Sequence, residues 1–597
     1  LIPNIPVEGE INTEIPADGD GRTRLLLEHP KKWGPNGYGE QNLYTVTVEL
    51  LAEDGSVRDV VKKRIGIRTL TISQEKDRWG QEFAFIVNGV KIFTKGGNYI
   101  PEDCCYTRIT KERQEYLVRS CVRANFNCLR VWGGGYYPND TFYDLCDEYG
   151  LIVWQDLMYA CNVYDVTDAF AENIRQETLD NVRRLRHHAC LGLWCGNNEI
   201  ESAWDHWGDF QKETPYLRAD YVKQFEQILP HAVREADPDT FYWPSSPASG
   251  GCFDEPDSED RGDTHYWDVW HGQKPFSDYR KYFFRFCSEF GFQSFPSYKT
   301  VESFTEEEDR NIFSKVMESH QKNDAANGKM LYYLSENFRY PKDFKSLLYV
   351  TQILQAMAIK SGVEHWRRNR GRCMGTLYGQ VNDNWPVASW ASIDYYGRWK
   401  ALHYAEKKMF APILLSCEET GELSERPFCI AERKKPIEKS VRFHVANETW
   451  KEFTGSIEWE LRTPDAVVVE SGILSVTAPS FDGVFLEKID FSDKDERDVY
   501  VSYRLRNEEN AVVSEGTTLF TPPKHFKFEN PELSFTIEGK KITVSSKGYA
   551  KSVEIVALDG DVRFSDNYFD LNGDSKTVEI VEGNAASFKV RSVYDIR

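Results

Sequence analysis

Polar and apolar positions alternate along Tyr44–Leu51, break at Glu53-Asp54-Gly55-Ser56, and alternate again along Val57–Ile65, which predicts a β-hairpin. A further strand pattern covers Thr69–Ile72. From about residue 73 the texture changes, and short apolar runs alternate with longer helical periods. The predicted strands are Phe93–Tyr99, Asn127–Trp132, Leu151–Asp156, Leu191–Asn198, Phe241–Pro247, Asp263–Trp267, Phe284–Phe290 and Met374–Asn382. Helical patterns at Lys111–Ala124, Thr141–Tyr149, Phe170–His187, Ala219–Ala236 and Ser346–Arg368 fall between most of them. Eight such strands predict a (β/α)8 TIM barrel. A doubly wound sheet is the competing topology, but neither GxGxxG nor GxxxxGK[ST] follows any strand, and Gly133-Gly134-Gly135 reads as a turn.

After about residue 409 the helical period disappears. Val441–Val445, Thr454–Leu461, Ala466–Val469, Val484–Phe491 and Val499–Arg506 read as strands of an immunoglobulin-like β-sandwich. Thr521-Pro522-Pro523-Lys524 reads as a linker, and 526–597 holds six or so short strand patterns. The expected organisation is a partial sandwich at 1–72, the barrel at 73–408, a sandwich at 409–522 and a small β-sandwich at 523–597.

Composition narrows the function. The 597 residues are 41% hydrophobic and carry a net charge of −21, which opposes binding to a nucleic-acid backbone or an anionic membrane. No run of about 18 apolar residues predicts a membrane span. The 13 Cys are scattered without CxxC or Cys/His spacing, and several sit in apolar stretches, so no structural zinc and a reduced, cytoplasmic setting are expected. The 16 Trp and 31 Tyr are mostly core residues, but exposed rings in a groove would suit the flat C–H faces of sugars.

Catalytic groups of a barrel come from the C-terminal ends of its strands. The fourth predicted strand ends Gly196-Asn197-Asn198-Glu199, and the seventh ends Ser288-Glu289-Phe290-Gly291. A lone carboxylate there would be a salt-bridged or capping residue. Two on opposite sides of one mouth suit glycosidic cleavage, one protonated to serve the leaving oxygen and one ionised to attack. A separation of about 5–5.5 Å would mean retention through a covalent glycosyl-enzyme.

Gly196-Asn197-Asn198-Glu199 and Ser288-Glu289-Phe290-Gly291-Phe292-Gln293-Ser294 resemble glycoside hydrolase family 2, and within it the β-mannosidases. Pro35–Gln41, Lys95–Pro101, Leu129–Gly135, Trp154-Gln155-Asp156 and Gln380–Pro386 agree with that resemblance, which runs from about residue 30 to 410. It implies Glu199 as acid/base, Glu289 as nucleophile and Asn198 as the partner of the sugar 2-hydroxyl. It further implies Trp132 and Trp385 as walls of the −1 subsite, Asp156 as an acceptor from sugar hydroxyls and Trp207 at the entrance. His265 or Tyr266 would orient Glu289. Two carboxylates need no metal or cofactor. The resemblance also implies an N-terminal jelly-roll domain ahead of the first sandwich; on this reading the chain is expected to be without it, so a pocket that binds mannosides poorly is one expectation. The substrate expected is a β-mannoside oligosaccharide, acted on by a monomer or homodimer. A β-glucosaminidase, a β-galactosidase or a non-catalytic carbohydrate-binding fragment are the competing readings.

Overall fold

The computed structural model describes residues 4–5, 26–421 and 438–597. Eight parallel strands, all but β5 and β6 buried along their whole length, form the central sheet: β1 (Thr94–Tyr99), β2 (Cys128–Val131), β3 (Ile152–Asp156), β4 (Leu191–Cys195), β5 (Phe241–Trp243), β6 (Thr264–Tyr266), β7 (Cys287–Phe290) and β8 (Gly375–Gly379). Strands covered on both faces read as continuous apolar runs, as in Leu191-Gly192-Leu193-Trp194-Cys195. β1 pairs with both β2 and β8, so the sheet curls into the expected barrel.

Only β5 and β6 share no regular ladder. Asp263 bridges that seam from the start of β6. Its carboxylate accepts from Trp243 Nε1 at 2.8 Å, the Ala248 amide at 3.0 Å and Ser246 Oγ at 2.6 Å.

Helices α1 (Lys111–Arg123), α2 (Asp140–Tyr149) and α3 (Asp168–Leu185) follow β1, β2 and β3. Each begins at a side-chain cap: Thr110, Asn139 and Thr167 accept from the amides of Arg113, Phe142 and Phe170, each at 3.3 Å. Gly150 ends α2 at φ 77°, a left-handed position that favours glycine. Helix α4 (Phe344–Arg368) precedes β8, and α5 (Ala401–Met409) closes the barrel.

Strand Leu70–Ser73 pairs antiparallel with Ala84–Val87. This turn drives Phe83 against Trp243, Trp154 and Phe286, at ring distances of 4.9, 6.0 and 5.8 Å. Phe286 immediately precedes β7, and Phe85 meets Gly192 at the start of β4, so the aromatic plug seals the N-terminal end. The opposite end stays open for chemistry.

The hairpin Tyr44–Leu51/Val57–Ile65 forms with its turn where the sequence places it. Two β-sandwiches follow the barrel. Strands Ile413–Glu418, Ser440–Asn447 and Asp482–Asp490 form one layer of the first; Val468–Ala478, Phe453–Arg462, Tyr500–Asn507 and Val512–Leu519 form the other. Ile413–Glu418 and Val512–Leu519 are edge strands beyond the five read from the sequence. The last unit packs a four-stranded against a three-stranded sheet and docks on α5, where Tyr404 joins its core. Among the described residues no helix is long and apolar enough to cross a membrane, and every described cysteine is a free thiol.

Candidate active site

A cavity of about 500 Å³ opens at the C-terminal ends of the strands, between Glu199 and Glu289. At its base lies Arg130, placed mid-way along β2 and fully buried. All five of its N–H donors are used. Nη1 donates to Asn98 Oδ1 and Glu289 Oε2, both at 2.8 Å. Nη2 donates to Asp156 Oδ2 at 2.9 Å and Asn198 Oδ1 at 2.7 Å, and Nε to Asp156 Oδ1 at 3.3 Å. One guanidinium thereby sets the positions of side chains from β1, β3, β7 and the turn after β4.

Glu199 begins the short helix Ile200–His206 with a φ of 63°. A non-glycine residue in that region is strained, and the hydrogen bond its backbone N–H donates to Ser246 O at 2.8 Å helps hold it. Its Oε1 lies 2.9 Å from His265 Nδ1, and Cys161 Sγ donates to its Oε2 at 3.4 Å. Glu289 instead receives Arg130 and Trp267 Nε1, the latter at 3.2 Å. Ligand-type atoms of Glu199, His265 and Glu289 all lie within 4.8 Å of one another.

Burial pushes both carboxyls above the ordinary Glu range. At Glu289 the Arg130 cation works against that rise, as a protonated His265 would, while the neighbouring Glu199 adds to it. Burial also lowers His265, so the imidazole favours its neutral form. Nearby Glu201 is pushed up to about 8 by burial, yet it faces the Phe253 amide and the Tyr221 hydroxyl, not the cavity.

The other residues singled out from the sequence divide. Trp132, Asn198 and Trp207 line the cavity, and Trp207 stands at its rim with 40% exposure. Asp156 is fully buried behind Arg130, held also by the Gly133 amide at 3.0 Å and Trp154 Nε1 at 3.0 Å, so it does not meet the cavity as expected. Its role passes through the arginine. Of the two β6 candidates, His265 faces the carboxylates. Tyr266, on the opposite face of the strand, donates to Asp278 and packs among Tyr279, Tyr282 and Phe284. Trp385 lies outside the cavity and stacks on His320 at 4.6 Å, because the chain beyond β8 turns away before it; Gln380 and Trp390 reach the cavity instead.

Arg130, Cys161, Trp267, His271 and Trp390 went unread in the sequence as site residues. Trp267 stacks edge-on against Trp390 at 6.0 Å and lies 5.1 Å from His271, forming one aromatic wall. The signal for Trp267 was present, since it ends the run Thr264-His265-Tyr266-Trp267. Elsewhere Asp147, His188 and Cys190 converge, a grouping their sequence spacing does not suggest. There Asp147 accepts from the Cys190 amide at 2.8 Å and pairs with His188 Nδ1 at 2.7 Å.

Family models described as "Glycosyl hydrolases family 2", "Mannosidase Ig/CBM-like domain" and "Ig-fold domain" match residues 5–68, 439–525 and 528–596. The chain is 36% identical over 463 residues to beta-mannosidase B of Aspergillus clavatus, covering 75% of this chain and about half, 54%, of that protein. It is 32% identical over 592 residues to beta-mannosidase B of Aspergillus terreus, covering 95% of this chain and 69% of the relative. The crystal structure of a beta-D-mannosidase from Dictyoglomus thermophilum superposes with a TM-score of 0.86 at 32% identity, over 95% of this chain and 68% of that one. An exo-chitosanase from Amycolatopsis orientalis shares the fold at 15% identity, with a TM-score of 0.74 over 95% of this chain and 71% of that one. The chain belongs to glycoside hydrolase family 2, on its β-mannosidase branch.

Proposed function

We propose that this chain carries the catalytic apparatus of a retaining exo-β-mannosidase, releasing terminal non-reducing β-D-mannose. The observation that carries the reading is the pairing of Glu199 and Glu289 across one cavity, with carboxylate oxygens within 4.8 Å. That spacing suits direct attack. An inverting pair stands about 6.5–9.5 Å apart to admit a water between them.

In the first step a Glu289 oxygen bonds the anomeric carbon while the bond to the aglycone oxygen breaks. Glu199 gives that oxygen its proton. In the second step Glu199, now ionised, takes a proton from water as the water oxygen bonds the anomeric carbon and frees Glu289. The environments support this division. Arg130 and Trp267 donate to Glu289 and stabilise its ionised form, whereas Glu199 faces a neutral-favouring imidazole and a thiol. Asn198 Oδ1 is committed to Arg130, so its amide Nδ2, near Cys161 Sγ at 3.3 Å, is the group left for a sugar 2-hydroxyl. Trp132 and the Trp267–Trp390 wall supply apolar faces for the pyranose ring.

Mannoside preference rests on kinship with proteins named beta-mannosidase. A panel of 4-nitrophenyl β-mannoside, β-galactoside and β-glucosaminide tests it. Turnover confined to the mannoside is expected; preference for either other sugar overturns the assignment.

A further inference from the structure

Behind Glu199 lies a second row of buried polar groups that the double displacement does not itself require. His265 Nδ1 faces Glu199 Oε1 at 2.9 Å, and its Nε2 faces Ser246 Oγ at 3.0 Å. Ser246 Oγ in turn lies 2.6 Å from Asp263 Oδ2, which Ser288 Oγ also approaches at 2.5 Å. Ser246, Ser288 and Asp263 are fully buried.

The direction of each bond follows from what each group can donate. Asp263 Oδ1 already accepts two certain donors, the Trp243 indole N–H and the Ala248 amide. As a carboxylate, Asp263 can only accept, so both serine hydroxyls turn their protons toward Oδ2. Ser246 Oγ then offers His265 only lone pairs. Nε2 must carry the imidazole proton, and in the neutral ring Nδ1 is left as an acceptor. The Glu199 oxygen opposite it satisfies that lone pair only as a protonated carboxyl.

Resting on the acid/base role of Glu199, we propose that Asp263 and Ser246 are positioning residues that fix His265 as the Nε2–H tautomer, so that Nδ1 accepts the proton of Glu199 and keeps the acid loaded between turnovers. The other charged or titratable groups around this pair are few. They are Glu289 from β7, whose Oε2 is 3.9 Å from His265 Nδ1, Arg130 from β2, Cys161 from the loop after β3, and Asp257 ahead of β6. Cys161 lies at Oε2, the oxygen that does not face the imidazole. The burial that lowers His265 and raises Glu199 acts in the same direction as the tautomer.

The test is Asp263→Asn, an isosteric change. Its oxygen keeps the indole and amide donors while its NH2 faces the two hydroxyls and reverses them. Ser246 then donates to Nε2, the imidazole proton moves to Nδ1, and Glu199 is favoured as the carboxylate. An inverted tautomer of this kind disables an intact constellation. The readout is the pH profile of kcat/KM on mannobiose, beside 2,4-dinitrophenyl β-mannoside, whose leaving group needs no acid. The alkaline limb on mannobiose should move about one pH unit toward acid, a roughly tenfold loss beyond it. The dinitrophenyl substrate should stay within about twofold. Ser246→Ala, which removes one oxygen and no charge, should move the limb the same way by less, and it carries the test where Asp263→Asn does not fold. An active wild type whose limb stays in place in the folded variants, or equal losses on both substrates at every pH, overturns the relay alone. A wild type silent on both mannosides overturns the acid/base reading and the relay with it.

Discussion

Replacing Arg130 by Met keeps the bulk of the side chain and removes the one cation shared by Asp156 and Glu289. Asp156 and Arg130 are fully buried, so Asp156 cannot recruit bulk water in compensation, and Glu289, 9% exposed, meets solvent only through the cavity. Breaking a buried ion pair by removing one partner costs about 3–5 kcal/mol. At about 2 °C per kcal/mol for a unit of this size, the barrel transition in calorimetry should fall by roughly 6–10 °C. The loss has a definite pH dependence. Burial already raises both carboxyls and Arg130 opposes that rise, so its removal lifts them further. A raised folded-state pKa means the folded protein favours the protonated form, so the stability it contributes is present at low pH and disappears as pH rises through the raised value. The deficit of Arg130→Met should therefore be full at pH 8 and smaller at pH 5. The acidic limb of kcat/KM should also move to higher pH, because the nucleophile must be ionised. A variant as stable as wild type, or a deficit equal at pH 5 and pH 8, would refute the claim that a buried charge hub supports the site.

Three further outcomes can be checked. Phe83→Ala empties a fully buried ring site between Trp154, Trp243 and Phe286 and should cost about 3–5 kcal/mol while leaving the pH profile of any turnover in place; denaturant unfolding beside kinetics reads both. Trp390→Ala should lower kcat/KM on a mannoside at least tenfold, an expected loss of about 1.4 kcal/mol or more of sugar-face contact, whereas Trp385→Ala should stay within about twofold; equal effects would return Trp385 to the site. Glu199→Ala should spare the first step for activated leaving groups and abolish it for mannobiose, as pre-steady-state release of the leaving group will show.

The barrel was legible because buried parallel strands are unbroken apolar runs and its helices carry a clear 3.6-residue period. Glu199 and Glu289 stood out as candidates for a related reason: each is a carboxylate near the C-terminal end of an apolar strand pattern, where a lone core residue would be apolar, and the two together suggested a shared mouth. Arg130 was not, since it sits inside Leu129-Arg130-Val131 and its acceptors lie 26 to 159 residues away in sequence. His265 and Tyr266 differ by one position, and strand alternation sends one ring to the barrel interior and the other to the layer outside it; only the register of β6 decides which. Trp385 and Trp390 occupy one irregular segment after β8, where no period tells which tryptophan turns inward. Thr69–Ile72 read correctly as a strand, but its partner Ala84–Val87 and the plug they build depend on aromatic contacts with β3, β5 and β7.

Hydrolysis of 4-nitrophenyl β-D-mannopyranoside by this 597-residue chain, beside Glu289→Ala with and without azide, tests the central claim most directly. The account predicts turnover by the wild type, its loss in the variant, and partial rescue by azide as an α-mannosyl azide, the product expected when a small anion replaces the missing nucleophile. Undiminished turnover by Glu289→Ala, or a rescued product of β configuration, would contradict it.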